Sequence, residues 1–218
     1  MKQQVAAARQ ANPSRRLFTL YALKPGFQGL LRPTARLLVR AGVTANNVTV
    51  AACLLSCALG LLLAFGTPTR RALLALPVFL FVRMALNAID GIMAREFGQQ
   101  STLGAYLNEL TDVVSDSFLY LPFAFLGLFD PLWIGVVIVL SVISEMAGTV
   151  AVMAGASRRY DGPMGKSDRA LVFGALGLWL GAENPIVPWA AFWIPLIVSL
   201  LLAATIVNRV MKGIKEHA

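Results

Sequence analysis

Beyond residue 45 the chain runs repeatedly for some 20 residues with few or no charges, as in "NNVTVAACLLSCALGLLLAFG" at 46–66. A bilayer core takes about 20 apolar residues of helix to cross, and within it every backbone N–H and C=O must be satisfied inside its own segment. These runs therefore restrict the fold to helices in lipid. Composition agrees, since 57% of the residues are hydrophobic and only 14% are charged, against about 25% charged in an ordinary soluble domain. The expected fold is an all-α integral membrane protein. Six spans are expected, at roughly 46–66, 71–94, 102–128, 131–155, 167–182 and 186–208, cut by the turn-forming stretches "GTPTR", "FDP", "ASRRYDGPMGKSD" and "GAENP".

Basic residues orient the spans. Lys and Arg crowd the stretch before the first span, the 158–169 loop and the C-terminal end, whereas Arg70 and Arg71 fall on the opposite side. By the positive-inside rule both termini are cytoplasmic. The net charge of +8 then reads as attraction to anionic headgroups rather than as a nucleic-acid footprint. Residues 1–16 are polar, with no apolar stretch of the signal-peptide kind, and are expected to form a flexible tail. Residues 17–42 mix Phe, Leu and Tyr with Lys24, Arg32, Arg36 and Arg40, as an amphipathic segment on the cytoplasmic leaflet would. Pro25 and Pro33 are expected to break it into short pieces. Residues 43–218 remain as the membrane domain. Cys53 and Cys57, four apart on an apolar helix, read as packing residues. The sole histidine, His217, leaves no basis for His-based metal sites or Ser-His catalysis.

One region departs from the apolar pattern: "NAIDGIMAREFGQQSTLGAYLNELTDVVSD" at 87–116. An ionisable residue within a span costs about 2.5–3.5 kcal/mol on insertion scales, so such residues are functional candidates. Arg83, Asn87, Asp90 and Ala94 recur at helical spacing on one stripe, and Gly104, Asn108, Asp112 and Asp116 recur every four residues on the next helix. On consecutive antiparallel helices the two stripes can face each other, open to the cytoplasm at the 96–101 loop. Asp116 lies a turn deeper, where an ionised carboxylate needs a partner such as Arg83 or a cation. Oxygen ligands of this kind suit Mg²⁺ or Mn²⁺ together with substrate phosphates. Gly91 and Gly104 would let a phosphate or ribose approach the backbone, and Arg95 could grip phosphate oxygens. A polar network that only joins the helices is the plainer alternative.

Asp90, Gly91, Ala94, Arg95, Gly104 and Asp112 fall in register on the pattern D-x-x-D-G-x-x-A-R-x8-G-x3-D-x3-D, and on these residues the chain resembles the CDP-alcohol phosphatidyltransferase family. "TANNVT", with Asn46 and Thr49, and "GKSDR" at 165–169 also resemble family segments. Asn87 and Asn108 stand where the pattern has its first and third Asp, as in an enterobacterial inner-membrane branch that the chain resembles. The resemblance implies transfer of a substituted phosphate, usually from CDP-diacylglycerol, to an alcohol with release of CMP, in phospholipid synthesis at the inner membrane. It assigns Asn87, Asp90, Asn108 and Asp112 to Mg²⁺ or Mn²⁺, and Asp112 also to the base. Asn46, Thr49, Asp90, Gly91, Ala94, Arg95 and Gly104 fall to the CDP donor, and Lys166 and Arg169 to the donor or an anionic acceptor. A homodimer is compatible with it.

An Asn carbonyl can ligate a hard cation but brings no charge, so Asp116 is a candidate compensating acid and second candidate catalytic residue. Glu145, also within a span, could order the acceptor pocket, pair with Arg83 or sit protonated in a helix contact. Three other functions compete: a family member that binds nucleotide or lipid with little turnover, a small cation or proton transporter, and a membrane prenyltransferase. The transporter lacks repeat symmetry between the halves, and the prenyltransferase would need an acid where Ala94 stands. "GPMGKS" lacks the earlier Gly of a phosphate-binding P-loop, since Tyr160 occupies that position. Arg158 and Arg159 lean towards membrane anchoring, and Trp179, Trp189 and Trp193 read as interface anchors.

Overall fold

The computed structural model describes residues 24–66 and 70–217, so the expected 1–16 tail and the first part of the 17–42 segment lie outside the described residues. The described chain is helical, without a strand: α1 Lys24–Arg40, α2 Ala45–Phe65, a 3-10 turn Arg70–Leu74, α3 Ala75–Glu96, α4 Thr102–Tyr120, the single turn α5 Pro122–Phe125, α6 Pro131–Met153, α7 Lys166–Gly181 and α8 Pro188–His217. Local chemistry sets several of these starts. The Thr44 hydroxyl accepts from the Asn47 N–H at 3.2 Å, Ser101 accepts from Gly104 at 3.0 Å, and the Asp130 carboxylate accepts from Leu132 at 2.8 Å. Each satisfies one of the N–H groups that a helix start leaves without an internal partner.

One expectation is revised. Pro33 does not break the interfacial segment, because α1 runs through it without interruption. The residue four before it is Gly29, and Ala35 with Leu31, Leu38 and Val39 packs on Val48, Ile89, Ile92 and Met93 of α2 and α3. That burial offsets the hydrogen bond that proline removes. Of the six expected spans, four helices are long and apolar enough to cross a membrane: Ala45–Phe65, Arg70–Glu96, Pro131–Met153 and Pro188–Glu216. The expected 102–128 span ends at Tyr120, beyond which Pro122 opens a separate turn, and α7 has only 16 residues.

The interior is divided by chemistry. At one end an apolar cluster gathers Leu63 of α2, Leu76 and Leu80 of α3, Leu119 and Tyr120 of α4, Phe123, and Phe173 and Leu180 of α7. Tyr120 stacks on Phe173 with ring centroids 3.9 Å apart. At the other end, beside the smaller apolar cluster under α1, the buried charged side chains are Arg83, Asp90, Asp116, Glu145, Arg169 and Arg209. α2 crosses α4 so closely at Gly60 that a Cβ there would overlap the Phe118 carbonyl. Leu54, Leu62, Val78, Phe81, Leu132 and Trp189 face outward, as lipid-facing positions do.

Candidate active site

The two polar stripes meet. The Asn87 amide Nδ2 donates to Asp112 Oδ1 at 3.0 Å, and Arg83 Nη2 donates to the Asp112 main-chain carbonyl at 3.1 Å and to Oδ1 at 3.2 Å. From α2, Thr49 Oγ1 donates to Asp90 Oδ2 at 2.7 Å. Asn46 lies over Gly104, where an added Cβ would come within 2.8 Å of its Oδ1. Gly91 leaves room for the guanidinium of Arg95, which a Cβ would meet at 2.9 Å. At both glycines a neighbouring side chain fills the space a Cβ would take. All seven residues expected to hold the donor, Asn46, Thr49, Asp90, Gly91, Ala94, Arg95 and Gly104, line one open cavity of about 760 Å³, with Asn108 and Glu109 on the same wall. Gln99, which sequence reasoning passed over, lines it too and accepts from the Ala45 N–H at 2.6 Å.

Beneath this cavity lies a chain of buried ion pairs. Asp116 is 3% exposed, with Oδ1 accepting from Arg83 Nη1 at 2.5 Å and Oδ2 from Arg169 Nη2 at 3.1 Å. Arg169 Nη2 also donates to Glu145 Oε1 at 3.0 Å. The Glu145 carboxylate stands 3.5 Å from Arg209 and 3.6 Å from Arg158, and Arg158 in turn donates to Glu109 at 2.5 Å. Glu145 therefore pairs with Arg169, Arg209 and Arg158, and not with Arg83. Arg158 is turned inward, against its expected anchoring role. Lys166 Nζ lies 2.5 Å from Asp112 Oδ2. Of the two candidate catalytic acids, Asp116 has both oxygens held by guanidiniums, while the Asp112 side chain keeps 24% of its surface exposed against 5% for Asp116.

A third layer closes the 154–165 loop onto α8. Arg159 pairs with Asp161 at 2.6 Å and with Glu216, and Lys212 donates to Asp161 at 2.8 Å. The hydrogen bond from Lys212, with help from Arg159, holds the Asp161 carboxyl below its ordinary value. Gly148 admits this loop, because a Cβ there would lie 2.6 Å from the Arg159 carbonyl, and the Arg159 N–H donates to the Gly148 carbonyl at 3.1 Å. Arg209 is 1% exposed and donates to the carbonyls of Ser144 and Asp161. In the sequence it reads only as one more basic residue near the end of the chain.

Among the described residues no three of His, Cys, Asp and Glu assemble as a metal site. The set Asn87, Asp90, Asn108 and Asp112 is nevertheless all oxygen, with two carboxylates and two amide carbonyls, and Asp90 and Asn108 face the cavity. That chemistry fits a hard divalent cation with few protein charges, which keeps waters and substrate phosphates in its shell.

Residues 42–202 match the model of the CDP-alcohol phosphatidyltransferase family, and the chain belongs to that family. It is 46% identical over 192 residues to the inner membrane protein YnbA of Escherichia coli (strain K12), an alignment covering 88% of this chain and 94% of that protein. The fold is similar to that of the Mycobacterium tuberculosis phosphatidylinositol phosphate synthase PgsA1. For its crystal structure with CDP-DAG bound, the TM-score is 0.67 at 24% identity over 84% of this chain and 92% of that one. For its complex with manganese and citrate, the score is also 0.67 at 24% identity, with 84% and 88% covered.

Proposed function

We propose that this protein transfers a phosphatidyl group from CDP-diacylglycerol to an alcohol, releasing CMP, with Asp112 as base and the cavity at the α2–α3–α4 junction as the donor site. The observation that carries this reading is the convergence of seven donor residues from three helices on one cavity. In the step, the alcohol oxygen attacks the phosphorus that bears diacylglycerol. The bond from that phosphorus to the bridging oxygen breaks, CMP leaves, and Asp112 takes the hydroxyl proton. Arg95 is exposed and forms no ion pair among the described residues, so its guanidinium is available to the pyrophosphate. Thr49 fixes Asp90, and Arg83 with Asn87 fixes Asp112.

Asn87, Asp90, Asn108 and Asp112 would hold Mg²⁺ or Mn²⁺, which when bound supplies charge neutralisation for the pyrophosphate. With two amides in place of acids, one ion would be held by the protein and any second would arrive with the donor. Manganese in a structure of similar fold supports a divalent requirement. The membrane is the bacterial inner membrane, with α2, α3, α4, α6, α7 and α8 spanning it, α1 on the cytoplasmic surface, and both termini and the site facing the cytoplasm. The basic residues Arg32, Arg36, Arg40 and Arg95 at the site end support that orientation.

The test is CMP release from CDP-diacylglycerol by purified protein with Mg²⁺ or Mn²⁺ and a panel of alcohols. A second reading, binding with little turnover, rests on the two amides. It would be favoured by silence with every acceptor and a gain of activity in an Asn87→Asp, Asn108→Asp protein.

A further inference from the structure

Residues 157–161 form neither helix nor turn, and in extended backbone successive side chains point to opposite sides. The contacts alternate accordingly. Ser157, Arg159 and Asp161 face α8, where Lys212 and Glu216 stand one turn apart. The Glu216 carboxylate accepts from the Ser157 N–H at 3.2 Å, from the Ser157 hydroxyl at 2.8 Å and from Arg159. Asp161 accepts from Lys212 at 2.8 Å and from Arg159 Nε at 2.8 Å. Arg158 and Tyr160 face the other way. The Arg158 guanidinium lies 4.5 Å from the centre of the Tyr160 ring and pairs with Glu109 of α4 at 2.5 Å. Glu109 lines the donor cavity, whereas among the described residues none of the 154–165 loop, α6, α7 or α8 does.

We infer that the end of α8 acts on the donor cavity from outside it: Glu216, assisted by Lys212, is a positioning residue that holds Arg158 on Glu109 and so masks a negative charge on the cavity wall from an incoming nucleoside diphosphate. The inference rests on the donor-site reading of that cavity and not on turnover. Glu109 is turned about 100° round α4 from Asn108, outside the oxygen set expected to hold a cation, so its charge is left to Arg158 whether or not that set is loaded. Like charges brought together across a contact are strongly unfavourable, and an unmasked carboxylate would oppose a pyrophosphate. Two other bonds already fix the loop to the bundle: the Arg159 N–H donates to the Gly148 carbonyl at 3.1 Å, and the Met164 N–H to Thr205 Oγ1 at 2.9 Å. The Glu216 and Lys212 side chains are 40% and 56% exposed, and exposed ion pairs add little to stability. Their effect is on direction, because pinning residues 157 and 159 from one side sets where residue 158 points.

The test uses full-length protein in phosphatidylcholine nanodiscs, with hydrogen exchange in the absence of ligand and titration calorimetry with CDP and Mn²⁺. Glu216→Ala should speed amide exchange in the 154–165 segment by about 10-fold or more while α6 and α8 stay protected. Unchanged exchange overturns the inference. The same variant should bind CDP about 10-fold more weakly than wild type. Arg158→Gln should match it, and the two together should lose no more than either alone. Adding Glu109→Gln to Glu216→Ala should restore binding to within about twofold of wild type. A structural role for α8 alone would leave the loss unrepaired, so an unrepaired loss overturns the inference, as does no loss at all. Wild-type protein that binds no CDP counts against the donor-site reading. Exchange, which needs no ligand, then decides the inference: acceleration confined to 154–165 upholds the hold of α8 on Arg158, and none overturns it. Lys212→Ala, which releases Asp161, takes the place of Glu216→Ala if that variant does not fold, with the same expectations.

Discussion

Thr49 of α2 reaches across to α3 and donates its hydroxyl hydrogen to Asp90 Oδ2 at 2.7 Å, with both residues buried. This bond ties the helix that follows the interfacial segment to the acid expected to carry charge in the donor site. Partners that orient a ligating carboxylate typically contribute 10- to 100-fold in metal affinity or activity. Thr49→Val, which keeps the shape and removes the hydroxyl, should therefore lower kcat/KM by about 10-fold or more and raise the Mn²⁺ concentration for half-maximal CMP release. Thr49→Ser should recover most of the loss. A valine protein with an unchanged metal titration would show that the bond does not serve the site.

Asp116 stands between Arg83 and Arg169 in the interior, so its neutralisation should be felt first as lost stability. Removing one partner of a buried ion pair costs about 3–5 kcal/mol, because the other charge is left uncompensated. Asp116→Asn leaves two guanidiniums sharing an amide. A fall in the detergent-solubilised melting temperature well beyond that of a surface control such as Asp168→Asn is expected. An unchanged melting temperature with activity abolished would instead make Asp116 part of the chemistry.

Two glycines should separate packing from donor binding. In Gly60→Ala the new methyl meets the main-chain carbonyl of Phe118, which cannot swing away, and overpacking of this kind costs about 1–3 kcal/mol. In Gly104→Ala it meets side-chain oxygens alone, Asn46 Oδ1 at 2.8 Å and Ser101 Oγ at 3.1 Å. Gly60→Ala should lower the melting temperature. Gly104→Ala should leave it nearly unchanged while raising KM for CDP-diacylglycerol, read from initial rates of CMP release.

Asp161 gives a pH dependence with a defined sign. Lys212 and Arg159 depress its pKa in the folded protein, so its contribution is complete above the unfolded value of about 3.9 and is lost as pH falls through the lower folded value. The melting-temperature difference between wild type and Asp161→Asn should be constant from neutral pH down to about 5 and should close below about 4. A difference that widens on acidification would contradict the pairing.

The donor half of the site was legible because most of its residues lie on α3 and α4, adjacent in sequence, where a period of about four residues fixes which side chains share a face. Asn87, Asp90, Asn108 and Asp112 needed only that period and the family spacing. The neutralised half was not legible. Arg158, Glu109, Glu145 and Arg209 come from a loop and three helices, and no local pattern tells a basic residue that anchors a loop from one turned inward on a distant acid. Arg209 carried no signal beyond its place on an apolar helix. Pro33 misled for a related reason, since the penalty of a mid-helix proline is local while the packing of α1 that offsets it is tertiary. α4 and α7 read as spans from their flanking turns, but the charge of the one and the shortness of the other set them apart from the four long apolar helices.

The pairing of Asp116 with Arg83 and Arg169 bears on biogenesis. α4 carries Glu109, Asp112 and Asp116 and is a poor candidate to partition into lipid alone, whereas α3 emerges earlier with Arg83 already placed to meet it. Arg169 is translated some fifty residues later, so the second oxygen of Asp116 waits for its partner. If α4 and α7 span the bilayer as proposed, α3 and α4 should leave the insertion machinery as a hairpin that α7 locks afterwards.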